Sequence, residues 1–518
     1  MKREIAAALF LLAVAPALAQ RTPTSRDRMS ADISFLCSPP LEGRASLSRG
    51  ADAAAWFLAA ELAKAGLQPP DGKSYLQRFD VVPRRDREPP AIVVRRTGGG
   101  ETRLTPTGVF FPDPTRPIEL ELDVVFAGFG ITAPEFGYDD YAGLDVTGKA
   151  VLVFDHEPQE DDAGSVFHGT GFTLHAHTWT KTHNAQQHGA AALLVVTEPV
   201  NSHRSAPRAP DRANAPSQAL ARSELQIPRF AISPETAAAL LEGSGKTLPD
   251  LQRAIEGPPL RPSSRQLPGV RVALHASNAE TQPRPSWNAA GLLPGSDPEL
   301  RNETVIVVAH YDHLGVQNGK HYGGANDNAS GVAALLEVAR QLARERPARS
   351  VLFLAVGSEE QLMLGSYHYV ANPLRPLETT RAVVNLDMIG RHEAHTPESL
   401  GAYDITAGRA DQLNLVGAAF SPDLTAVLNG EASKAGMALS DKFDRDSSMR
   451  ALFRCDHLPF LQKRVPAIWL FGGFHPGYHE PSDTIDLLDY DKMDRVVKLT
   501  VASVLRLAGP GAPPRFRY

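Results

Sequence analysis

The stretch Glu303–Gly315, ETVIVVAHYDHLG, decides how this chain folds. Val305 to Ala309 run without a polar break, and His310 and Asp312 follow at once. A strand with one wet face alternates apolar and polar residues, so an unbroken apolar run reads as a strand buried on both faces. The same texture recurs in RVALHA (Arg271–Ala276), RSVLFLAVGSEE (Arg349–Glu360) and RAVVNLDMIG (Arg381–Gly390). Helical patterns such as VAALLEVARQLAR (Val332–Arg344) lie between these runs. Buried strands alternating with helices predict an α/β fold with a mostly parallel central sheet and helices on both faces.

In such sheets ligands gather outside the carboxyl ends of the strands. Reading those ends in order gives His310 and Asp312, then Glu359 and Glu360, then Asp387, and finally His479 shortly after PAIWLFGG (Pro466–Gly473). Two adjacent glutamates at a strand mouth repel each other unless a cation or a shared proton stands nearby. Between the first two strands lies GGANDNASG, Gly323–Gly331. Taken for backbone alone, it is a glycine-rich turn in which Asp327 caps the following helix. Whether that reading of Asp327 is sufficient depends on what else the chain brings to this edge. Imidazole nitrogen with carboxylate oxygen suits Zn²⁺, and two histidines with at least three carboxylates serve two ions better than one. One carboxylate can then bridge the pair.

The 518 residues are 42% hydrophobic and 22% charged, an ordinary globular composition with room for two or three domains. A formal net charge of −6 and the lack of a basic block argue against a nucleic-acid partner. MKREIAAALFLLAVAPALAQ has a cationic start, a short apolar run and a small-x-small site at Ala17-Leu18-Ala19. It reads as a secretory signal peptide over residues 1–19, so the mature protein is expected to be exported, periplasmic or extracellular, with no membrane span. Cys37 and Cys455 are too far apart in sequence to establish a bridge. The linker-like GPPLRPSSRQLPG (Gly257–Gly269) and a change to short β runs near Glu119 divide the chain into 20–118, 119–264 and 265–518. His168, His175, His177, His183 and His188 of the middle segment have no compact ligand spacing and are expected on a polar surface.

The blocks AHYDHLG, GGANDNASGVAALLE, SEEQLMLGS, NLDMIGR and YHEPSDTID, in this order up to Asp486, resemble the M28 family of zinc aminopeptidases. LEGRASLSRGADAAAWFLAAELAKAGLQP looks like the amino-terminal part of the same catalytic fold. The segment with VFAGFGITAPEFGYDDYAGLDVTGKAVLVFD and HGAAALLVVTEP is similar to the smaller, β-rich protease-associated (PA) domain inserted in many such enzymes. The resemblance implies a zinc exopeptidase-like fold acting on peptide substrates with two Zn²⁺ per chain. His310 and Asp387 would hold one ion, Glu360 and His479 the other, and Asp327 would bridge them. Glu359 would stay unliganded as the general base that takes a proton from the attacking water.

Asp312 would accept the other ring N–H of a ligand histidine. RCDHLPF (Arg454–Phe460) stands where the family shows Ser-Asp-His, which puts Asp456 and His457 around the site. His457 is the candidate oxyanion donor, although a purely structural histidine is the commoner case. His313 and His475 are set aside as ligands, His475 because Gly472, Gly473, Pro476 and Gly477 make its surroundings a loop. Two other readings stay open: a carboxypeptidase built on the same metal core, and a receptor-like binding protein without catalysis.

Overall fold

A computed structural model describes residues 23–201, 217–396 and 409–518. Residues 1–19, read as a signal peptide, lie outside the described residues. The fold is α/β, built on a nine-stranded sheet. At its centre, four parallel strands lie in the order β2 (Ser350–Val356), β1 (Thr304–His310), β3 (Thr380–Asp387) and β4 (Ala467–Phe471). The sheet grows outward from them by antiparallel pairing, through Arg284–Leu293 and Leu76–Arg84 on one side and Gln412–Val416 on the other.

Every residue of β1 and β2 is buried. Val305, Val307 and Ala309 pack into one core with helices Ser25–Leu36, Arg49–Lys64, α1 (Gly331–Leu342) and Tyr490–Leu507. Ile306 and Val308 point into a second core with Leu458, Phe460 and Leu461. Alternating side chains of one strand thus meet helices on opposite faces, which is why the run carries no polar residue. Each large aliphatic side chain buried this way contributes about 1.5–3 kcal/mol of transfer free energy.

The amino-terminal helices belong to this unit. Arg340 of α1 bonds Asp32 at 2.6 Å and Glu61 at 2.8 Å, and Arg28 meets Glu337 through its Nε at 2.8 Å.

A second, eight-stranded sheet runs from Glu101–Leu104 through Ala91–Arg96, Arg265–Ala276, Ile118–Phe126, Ala150–Phe154, Ala192–Val196 and Arg229–Ile232 to Gly108–Phe110. Strands before residue 119 and after residue 264 therefore belong to it, while Ser217–Leu220 pairs with Leu76–Arg84 in the first sheet. RVALHA, expected among the parallel strands, instead pairs antiparallel with Ala91–Arg96 and Ile118–Phe126. Its apolar run is matched by partners distant in sequence, which local pattern cannot choose. The linker-like stretch ends inside that strand, where the register shifts between Gln266 and Arg271.

His175 is another departure. Instead of lying on a polar surface, it is buried, stacked on Tyr518 at 5.1 Å and bonded to Glu135 at 2.8 Å. Cys37 and Cys455 are free thiols. No described helix is long and apolar enough to cross a membrane.

Candidate metal centre

Strand register brings the first ligands together. Val308 of β1 lies opposite Asn385 of β3, so both strands deliver their last residues, His310 and Asp387, to the same edge. His310 Nε2 stands 3.3 Å from Asp387 Oδ1 and 3.3 Å from Asp327 Oδ1. The other oxygen of Asp327 looks the opposite way, with Oδ2 2.7 Å from His479 Nε2. His479 Nε2 is also 3.3 Å from Glu360 Oε1. One carboxylate thus faces two separate ligand sets. Glu359 Oε2 approaches His310 Nε2 no closer than 3.9 Å and stays at the side of the first set.

The loop that presents Asp327 is fixed by its own neighbours. Asp483 Oδ2 accepts the amides of Asn326 at 2.9 Å and Asp327 at 3.0 Å. Asn326 Oδ1 accepts Gly390 N at 2.7 Å, and Asn328 Oδ1 accepts Gly331 N at 2.9 Å while its amide donates to Leu386 O at 2.9 Å. The two carboxamides therefore lace the loop to the end of β3. Gly324 has φ +57°, and a Cβ there would lie 2.2 Å from Asp327 O, so only glycine fits.

Arg44, wholly buried, reaches the loop from the amino-terminal segment. It donates to Tyr311 O at 2.7 Å, Gly323 O at 2.9 Å, Gly324 O at 3.1 Å and Leu36 O at 2.5 Å.

Asp312 does a different job from the one expected. Its carboxylate accepts the amides of Glu359 at 2.9 Å and Glu360 at 3.3 Å, holding the turn after β2. The near partner of His310 Nδ1 is the Asp312 backbone oxygen at 3.2 Å, with the carboxylate 4.0 Å away. Asp456 is buried beneath the site and accepts a hydrogen bond from Ser366 Oγ at 2.6 Å. Cys455, in the place of the family's serine, donates to the second oxygen of Asp387 at 3.0 Å and accepts from Asn385 at 2.9 Å.

His457 faces away from the cluster. It opens the helix His457–Gln462, its ring lies 5.7 Å from that of Trp469, and burial drives its pKa down to about 3, so it is a neutral core histidine. His313, set aside from sequence, has Nδ1 2.9 Å from Glu360 Oε1 and 3.8 Å from Asp327 Oδ2. His475 supports the loop through Asn326 at 2.9 Å and Gly477 N at 3.1 Å.

Electrostatics favour a cation here. Burial raises Asp312 to about 6, and burial with neighbouring carboxylates pushes Asp327, Glu359 and Asp456 above their ordinary range. So many acids in one dry place are stable together when a positive ion neutralises them. The donor set of imidazole and carboxylate fits Zn²⁺ on both sides of Asp327.

The family model described as Peptidase family M28 matches residues 288–504. Protein YfbL of Escherichia coli is 31% identical over 210 residues, covering 37% of this chain and 64% of YfbL. Aminopeptidase YwaD of Bacillus subtilis is 28% identical over 214 residues, 39% of this chain and 40% of YwaD, so the chain spans less than two thirds of either relative. An aminopeptidase structure from Aneurinibacillus sp. strain AM-1 aligns over 94% of this chain and 95% of its own at 19% identity, with a TM-score of 0.46. His310, Asp327, Glu360, Asp387 and His479 all fall inside the residues that the Peptidase family M28 model matches.

Proposed function

We propose that this chain is a dizinc aminopeptidase, exported from the cell, that removes amino-terminal residues from peptides. The observation behind this reading is the two-sided carboxylate of Asp327, with His310 and Asp387 on one oxygen and His479 and Glu360 on the other. When bound, a zinc pair supplies Lewis acidity toward the substrate carbonyl and lowers the pKa of the attacking water. Glu359, close to the ligands without a ligand's contacts, takes the proton of that water and passes it to the leaving amine. Asp312 holds the backbone of Glu359 and Glu360 so that both side chains reach the same centre. The similarity to YwaD, an aminopeptidase by name, supports action at the amino end.

A cavity of about 740 Å³ between the two sheets reaches Gln361–Met363, next in the chain after Glu360, and is lined by Arg84, Arg229, Phe110 and Trp179. We assign it to the part of the peptide beyond the cleaved bond, and the second sheet unit to the role of a PA insert that shapes this approach.

The deciding experiment follows release of p-nitroaniline from aminoacyl p-nitroanilides before and after chelation. Activity should vanish on metal removal, return with Zn²⁺, and be absent on substrates with an acetylated amino end. Unchanged hydrolysis by the metal-free chain would overturn the enzyme reading. Cleavage of acetylated peptides from their carboxyl end would replace it with the carboxypeptidase.

Asp483→Ala removes the acceptor of two loop amides, and a lost supporting partner of this kind costs about 10–100-fold in metal affinity. Competition with a chromophoric chelator should show that loss, and a much smaller one for Asp483→Asn, which keeps an acceptor oxygen. Export is tested by sequencing the mature amino terminus from a secretion-competent host, where Gln20 is the expected first residue.

A further inference from the structure

The second sheet has its own meeting of ligand-type side chains at the carboxyl ends of parallel strands. Ala150–Phe154 and Ala192–Val196 pair in parallel with Phe154 opposite Val196. Two residues beyond each strand stand His156 and Glu198, so this register sets them face to face. His156 Nδ1 is 2.8 Å from Glu198 Oε1 and 3.3 Å from Glu160 Oε2. The three side chains are 8%, 0% and 7% exposed for His156, Glu198 and Glu160. Their ligand atoms lie within 4.8 Å of one another.

We propose that His156, Glu160 and Glu198 hold a divalent cation of the zinc class, separate from the centre around Asp327. The distances match those of the first cluster, where His479 sits 2.7 Å from Asp327 and 3.3 Å from Glu360. Nitrogens and oxygens about 3.3 Å apart are what ligands spread tetrahedrally at about 2.0–2.2 Å from Zn²⁺ require.

On the far side of the ring, His156 Nε2 lies 3.9 Å from Asp155 Oδ2, beyond hydrogen-bond distance but close enough to add negative charge beside the cluster. The other oxygen of Asp155 is buried with no hydrogen-bond partner. Glu157 is occupied elsewhere, accepting Thr173 N at 2.9 Å, and the buried Lys181 donates to Phe129 O at 2.5 Å. One imidazole with two carboxylates selects Zn²⁺ over the all-oxygen preference of Ca²⁺ and Mg²⁺.

The cation would pin the segment 155–160 to the end of the neighbouring strand. That segment borders the junction between the two sheet units, since the His156 ring lies 5.5 Å from Phe172, which stacks on Phe453 of the first unit at 5.2 Å. The role inferred is structural: a staple that stiffens the insert where it meets the catalytic unit.

The metal-free full-length chain is titrated with Zn²⁺ and its bound metal counted after dialysis. Glu198→Gln and His156→Gln are each expected to hold one equivalent fewer than wild type, whatever number the first cluster binds. Asp327→Asn should keep this equivalent while losing metal at the first cluster, so the two sites fail independently. Equal metal content in wild type, Glu198→Gln and His156→Gln would overturn the proposal. If both variants fail to fold, wild-type crystals soaked in Zn²⁺ still decide: an anomalous peak between His156, Glu160 and Glu198 is expected, and its absence would refute the site.

Discussion

Glu359→Gln should lower kcat on an aminoacyl p-nitroanilide by about 10²–10⁴-fold, the usual share of a general base, with zinc content unchanged. The amide keeps the size and the polar contacts of the carboxylate but cannot take a proton. Glu359 comes within 3.9 Å of His310 Nε2, yet Asp327 and Asp387 fill the closer 3.3 Å positions, so removing its charge leaves both ligand sets whole. Its backbone is held by Asp312 through the amide, which the substitution does not touch. KM should move little, since the loss falls on the chemical step. A variant with wild-type kcat, or one that loses zinc as readily as Asp327→Asn, would remove Glu359 from the role of base.

The second large effect is on stability. Arg44→Ala should lower the unfolding free energy by about 3 kcal/mol or more, since hydrogen bonds to a charged group contribute about 1.5–3 kcal/mol each and buried acceptors left alone add their own cost. Four backbone carbonyls lose their donor at once: Leu36, Tyr311, Gly323 and Gly324. Two of them belong to the loop that presents Asp327, so zinc affinity should fall together with the urea midpoint. Arg44→Lys keeps the charge but not the fork of donors, and is expected to restore only part of the loss. An unaltered urea midpoint in Arg44→Ala would mean that these four bonds contribute nothing net.

Much of the centre was readable along the chain. Apolar runs with no polar break require burial on both faces, and polar residues at their carboxyl ends then have to share one edge. His310, Glu359, Glu360 and Asp387 were singled out by that argument, and Asp327 by the family resemblance, and the fold brings these side chains together. Arg44 and Asp483 were not, because each acts on backbone groups rather than on a side chain whose type advertises a partner. Arg44 and Tyr311 are 267 positions apart.

His457 was misplaced for a related reason. Its motif position put it near the site, but the helix that it opens turns the ring toward Trp469.

By itself, then, the amino-acid order determined the strand and helix types and the chemical kinds gathered at the strand ends, since burial and local periodicity are properties of neighbours in the chain. Only the tertiary structure decided which sheet Arg271–Ala276 joins, which way each oxygen of Asp327 points, and that His156 meets Glu198. Those outcomes depend on strand register and on backbone contacts between distant segments, whose energies are set by three-dimensional packing and leave no periodic mark in the sequence.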